Sequence, residues 1–171
     1  MPATKRKDPI GLIGEIKQLN NQQQINDNFS LERKKHFDFY LPFYRDKNWI
    51  VAQDNIDGNL PMSWDVKLEV FAADYKFVDE KVITSEWDNC LVEIVQDLKT
   101  KSWGWLYGEK DWVLYGSWAD IEEDYPSSLY LIKVEELKNY IFSLSGIIKT
   151  AISLKGWGIT WNVVLEWEDL I

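Results

Sequence analysis

Two residue types that build many catalytic and metal centres are nearly missing from this 171-residue chain, which has one cysteine, Cys90, and one histidine, His36. A single cysteine excludes an internal disulfide framework and a thiolate zinc cluster. A single histidine excludes a His-rich metal site and makes a Ser-His-Asp triad a poor fit. Long apolar runs are missing too, and none approaches the roughly 18 residues of a membrane span. The first residues, Met1-Pro-Ala-Thr-Lys-Arg-Lys-Asp8, are basic with no apolar stretch behind them, so no secretory signal is expected. Net positive charge is also lacking. The overall −9 argues against sequence-independent adhesion to nucleic acid. Together these absences predict a soluble, cytoplasmic protein with no membrane partner.

What is present is ordinary in amount and uneven in placement. Hydrophobic residues make up 46% and charged residues 27%, a globular composition, and the length favours a single domain with a substantial core. Residues 1–47 carry nine Lys/Arg against six Asp/Glu, whereas residues 48–100 carry four against eleven. Residues 101–171 carry six against eleven. Acid is therefore concentrated mid-chain, behind the basic clusters Lys5-Arg6-Lys7 and Arg33-Lys34-Lys35. Ten tryptophans are the other excess. Most are expected in the core, because each buries a large area and its indole N–H needs only one partner.

The polar residues 1–28 read as an N-terminal extension with a short helix over 10–19, weakened by two glycines. Ser30-Leu-Glu-Arg33 resembles an N-cap with acid in the first turn, opening a helix to about Tyr40 that Pro42 threatens. His36 on that helix is expected at the surface. Strands are predicted over 49–53 and 62–71, joined by a turn built on Asp57-Gly58. In the second strand Trp64, Val66, Leu68 and Val70 alternate with Asp65, Lys67 and Glu69, giving one apolar and one charged face. Shorter strands follow at 75–78 and 81–84. Residues 90–95 read as a central strand, apolar except at Glu93. A Gly-Trp loop at 103–108, strands at 111–116 and 129–133, a helix at 134–142 and a closing strand at 158–165 complete an α+β domain.

The charged face of residues 62–71 carries the first chemistry. Asp65 and Lys67 project from one side, and a hairpin could bring Asp54 near Asp65. Two carboxylates and a lysine suit phosphodiester hydrolysis with Mg²⁺ or Mn²⁺. The acids hold a hard cation through oxygen, the cation activates water, and the lysine steadies developing charge. A second Asp-x-Lys, Asp74-Tyr-Lys76, would use Asp65 as its upstream acid. The bland alternative for either is a solvated strand face with cross-strand ion pairs. Glu93 is a candidate metal or water contact, or a buried acid paired with a lysine such as Lys81 or Lys110. Trp103 and Trp105 are candidates either to stack on a base or to pack on the sheet.

The order of these elements resembles the PD-(D/E)xK nuclease superfamily, specifically its small phage-type members. The likeness spans roughly residues 29–142. Glu69 follows Lys67 as the acid two residues past the signature, and Asp88-Asn-Cys-Leu-Val-Glu93 matches the strand bearing Asn and Glu. Ser102-Trp-Gly-Trp-Leu-Tyr107 matches the loop, and Lys110-Asp-Trp-Val-Leu-Tyr115 the (A/K)D-aromatic strand. The spacing to Asn89 fits Lys76 better than Lys67, while the acid after Lys76 falls one position late, so both registers stay open. The resemblance implies a restriction-endonuclease-like fold over 29–171, with a central mixed β-sheet flanked by helices. It also implies a helical acid near the metal, for which Glu32 is the match. The expected site is then Asp65, Asp54 and Glu32 on the metal, with Lys67 and Glu93 catalytic. The expected substrate is nucleic acid, DNA before RNA, with room for a homodimer. The competing expectation is a catalytically inactive acidic module on the same fold, an inhibitor or a DNA mimic.

Overall fold

The computed structural model describes residues 29–84, 89–144, 150–155 and 158–170. The expected extension 1–28, with its helix over 10–19, and Asp88 lie outside the described residues.

Residues 29–46 run as helix in three pieces: α1 (residues 29–35), a π-helical turn His36–Tyr40, and α2 (Leu41–Asp46). Phe29 and Ser30 are already helical, so Ser30 is not the cap its sequence suggested. The helix also passes Pro42 rather than ending before it. Proline has no N–H and its ring collides with the carbonyl four residues back. The Leu41 N–H reaches His36 O, five residues back, in the wider π geometry immediately ahead of the proline, which then sits in the first turn of α2.

Five strands form a mixed sheet in the order β1 (Ile50–Asp54), β2 (Val66–Phe71), β3 (Asp74–Ile83), β6 (Trp112–Ser117), β7 (Ser128–Lys133). Only the β3–β6 pair is parallel. The chain between those two strands supplies two strands of a second sheet, and the C-terminal residues supply the other two. Its antiparallel order is β5 (Ser102–Trp103), β4 (Asn89–Asp97), β9 (Gly158–Glu166), β8 (Thr150–Lys155). β4 is an interior strand of that sheet, which accounts for its apolar reading. The loop after β1 turns on Asp57-Gly58, with Gly58 at φ 64° and its N–H on Asn55 O.

Side-chain alternation sorts the first sheet into two faces. Val66, Leu68, Val78 and Leu114 pack under Phe39, Tyr40 and Tyr44 of the helical segment, together with Trp118. Val113, Tyr115 and Ile132 face the other way, against Cys90, Val92, Val163 and Leu165 of the second sheet and α3 (Val134–Ser143). Fully burying side chains of this size stabilises by roughly 1.5–3 kcal/mol each. The first sheet is thus covered by the helical segment on one face and by α3 together with a second sheet on the other, where only helices were expected.

Candidate functional site

β3 is a single ten-residue strand, where the sequence reads two short ones separated by Asp79-Glu80. Those adjacent acids interrupt any apolar pattern, yet both are buried. Each is satisfied on its own side of the sheet.

Glu80 points to the helical segment. Its Oε2 lies 2.7 Å from His36 Nδ1, and its Oε1 accepts from the Tyr44 hydroxyl at 2.7 Å. The other ring nitrogen, Nε2, stands 3.0 Å from Asp54 Oδ2. His36 is therefore fully buried rather than at the surface. Burial alone would lower its pKa, but the two flanking carboxylates outweigh this and hold it above the ordinary histidine value.

Asp79 points to the opposite face, into a cleft of about 660 Å³ between the two sheets. The β2–β3 register pairs Val66 with Val78, and one step further sets Asp65 against Asp79. Two hydrogen bonds fix that step: the Asp65 N–H donates to Val78 O at 2.8 Å, and the Glu80 N–H donates to Asp65 Oδ2 at 2.7 Å. Asp79 accepts from Lys81 Nζ at 2.9 Å on one oxygen and from Lys110 Nζ on the other. Glu32 from α1 and Glu93 from β4 line the same cleft.

The charges here shape one another. Burial and then the Asp79 carboxylate push the Asp65 carboxyl up to about 8, against the pull of Lys81. Burial raises Glu32 as well, with Lys81 opposing. Asp79 ends below its ordinary value, because Lys81 and Lys110 together overcome its own burial. Burial would lower Lys81, yet Asp79, Glu32 and Asp65 hold it above the usual lysine value, so it is a firm cation. Burial wins at Lys110, whose pKa is lowered in spite of Asp79.

Of the residues singled out from sequence, the cleft gathers Glu32, Asp65 and Glu93 and leaves out Asp54 and Lys67. Asp54 turns to the helix, where it meets His36 and caps the Ile56 N–H at 2.9 Å. Lys67 shares the cleft-side face of β2, but it is paired with Phe77, two residues along the strand from Asp65. Its ammonium sits over the rings of Tyr75 and Phe77, 4.4 and 5.6 Å from their centroids. Asp74 and Lys76 form an exposed ion pair with each other near the far end of β2–β3, where Asp74 pairs with Phe71. Sequence reasoning missed Asp79, Lys81 and Lys110 as members of the site. The signal existed: Asp79-Glu-Lys81 is itself an Asp-x-Lys downstream of Asp65.

Oxygen donors of this kind suit a hard divalent cation. As the side chains stand, no group of three or more His, Cys, Asp or Glu among the described residues is arranged to hold a metal ion. Both Asp79 oxygens are occupied by ammonium groups, so a cation would have to take the place of one of them. Comparison with protein-family models, curated proteins and solved structures finds no match for this chain.

Proposed function

We propose that the protein is a metal-dependent phosphodiesterase acting on nucleic acid, DNA in the first instance, with Asp65, Asp79 and Lys81 as its signature. The observation that carries this reading is the pair of carboxyls facing each other across β2–β3, with a lysine two residues on from the second and all three in one cleft. This is the Asp…Asp-x-Lys pattern of the nuclease superfamily that the sequence resembles, in a register neither of the expected triplets provides. The strands on either side agree with a restriction-endonuclease-like core: three antiparallel strands after a helix, then a parallel neighbour of β3.

In this reading Asp65 and Asp79 hold Mg²⁺ or Mn²⁺, with Glu32 as the helical acid beside them. The cation supplies polarisation of the phosphate and a more acidic bound water. The protein's own groups do the rest. Asp65, with its raised proton affinity, gives up its proton when the site fills, so metal affinity and rate both rise with pH through about 8. Lys81 stays protonated, so it serves as a fixed positive charge for the pentavalent phosphate rather than as a base. Lys110 releases its Asp79 oxygen and becomes a second donor at the cleft wall. Glu93, which lines the cleft from β4, would be the carboxylate that acts on the attacking water.

The test is hydrolysis of labelled single-stranded and duplex DNA with Mg²⁺ or Mn²⁺, with and without EDTA. Asp65→Asn and Lys81→Ala should each reduce the rate by about 10³-fold, the scale expected for removing a group that stabilises transition-state charge. Calorimetry with Mn²⁺ should give one site-stoichiometric heat signal, lost in Asp65→Asn. Nucleic acid left intact across several divalent metals would sink the reading. One observation favours a second one: both Asp79 oxygens are paired with lysine ammonium groups, with no need of a metal ion. An acidic binding module on the same scaffold would show no Mn²⁺ heat and would form a tight complex with a protein partner.

A further inference from the structure

The wall of the cleft furthest in character from its acidic floor is aromatic. Trp103 is 68% exposed, far more than a side chain with so much apolar area ordinarily tolerates. Its ring centroid lies 4.9 Å from that of Tyr107, itself half open to solvent. This is not a loose loop. Gly104 between them donates its N–H to Ile94 O at 2.8 Å, and a Cβ there would stand 2.1 Å from Glu93 O. Trp103 pairs with Val95 in the sheet, and Leu106 is fully buried. The backbone is pinned directly against the strand that carries Glu93, and the two rings are left facing the cleft. Phe29 and Met62, 47% and 45% exposed, line the same cleft.

Charge narrows the occupant. Among the described residues lining the cleft, the cations are Lys81 and Lys110, and both are bound to Asp79. Duplex binding draws its affinity mainly from cations that neutralise phosphates, and a chain of net charge −9 with so few unpaired cations at the site supplies little of that. Stacking asks for no such cations. Each base stacked on an aromatic side chain contributes in a sequence-tolerant way. A volume of about 660 Å³ is that of a small-molecule pocket, matched to one or two bases and too small to enclose a duplex.

We infer that Trp103 and Tyr107 form a stacking platform for the unpaired bases of a single nucleic-acid strand. The platform rests on the phosphodiesterase reading for its purpose, since it would hold a strand beside the Asp65–Asp79 pair. It does not rest on that reading for its test. Binding of fluorescein-labelled oligo(dT) and of a duplex of equal length is measured by anisotropy on the full chain, in EDTA so that nothing is cut. The single strand should bind at least tenfold more tightly than the duplex, with a shallow dependence on salt. Trp103→Ala should weaken single-strand binding by about tenfold or more, and Trp103→Phe should restore most of the loss. A melting temperature unchanged in Trp103→Ala would show that the loss is not unfolding. Equal affinity for strand and duplex, a steep salt dependence, or a Trp103→Ala variant that binds as the parent does would each overturn the platform. Strand binding without any hydrolysis in Mg²⁺ or Mn²⁺ would uphold the platform and sink the nuclease. Hydrolysis with no preference for single strands, undiminished in Trp103→Ala, would do the reverse.

Discussion

Asp79 and Glu80 are neighbours on one strand, equally buried, and they meet opposite fates. On the helix side Glu80, His36, Asp54 and Tyr44 form a network in which both Glu80 oxygens and both ring nitrogens have a partner. On the cleft side Asp79, Lys81, Lys110 and Asp65 are also paired, but beside a cavity, with a carboxyl held far from its ordinary pKa. In the first arrangement every one of those atoms has its partner within the protein. The second stores unfavourable proton affinity where a ligand can relieve it. Burial of charge is thus not by itself a mark of function. Proximity to open space and a frustrated protonation state make the difference.

The largest stability effect should come from breaking the closed side. Glu80→Ala leaves Nδ1 of the buried His36 ring and the buried Tyr44 hydroxyl without their carboxylate partner. Removing one partner of a buried charged pair costs about 3–5 kcal/mol. For a chain of this length that is a drop of about 10 °C in melting temperature. Thermal melts followed by circular dichroism check it. A loss under about 1 kcal/mol would mean that the network is ornamental.

The open side should respond in the opposite sense. The Asp65 pKa is raised in the folded state, so between pH 4 and 8 the folded chain binds the proton that the unfolded chain releases. Its contribution to stability therefore falls as pH rises through that window. Asp65→Asn should remove that slope and stabilise the protein at pH 8 by about 2 kcal/mol, while slowing hydrolysis by about 10³-fold. Urea melts of both proteins at pH 5 and pH 8 check it. Mn²⁺ should stabilise the parent at pH 8 and leave the variant unmoved. His36 titrates in the same direction: the stability from its raised pKa is complete below about 6.5 and is lost as pH passes its folded value.

The contrast also explains how much the sequence could disclose. Val66 and Leu68 are buried and Lys67 and Glu69 are not, so strict alternation made β2 readable. The Asp57-Gly58 turn was readable because positive φ demands glycine at that spot. β3 was not readable as one strand, because two successive acids look like a break when their partners are unknown. Those partners come from 36 and 44 on the helical segment and from 110 in the loop that leads into β6, contacts that no local pattern records. The same blindness put His36 at the surface and drew attention to Lys67. The acids of the cleft were partly legible, since Asp65, Glu32 and Glu93 needed only topology to bring them together. Lys81 and Lys110 needed the parallel β3–β6 pairing as well.

The smallest expected effect is the one that separates the registers most cleanly. Lys67 and Lys81 both lie two residues after an aspartate, and both sit on the cleft-side face of their strands. Lys67 spends its charge on the faces of Tyr75 and Phe77, a cation–π contact worth about 0.5–1 kcal/mol at a partly exposed site. Its ammonium lies over those two rings, and its partners across the sheet are Gln53 of β1 and Phe77 of β3 rather than Asp79. Lys67→Ala should therefore cost less than about 1 kcal/mol in a urea melt and leave the rate of hydrolysis within twofold of the parent. Lys81→Ala, by comparison, strips Asp79 of one of its two cations and removes the lysine charge that also acts on Asp65. If the two lysines were to exchange behaviour, with Lys67→Ala inactive and Lys81→Ala near parental, the signature would be Asp65-Val-Lys67 after all. The Asp79 cluster would then be a second closed network, differing from the first only in lying beside a cleft.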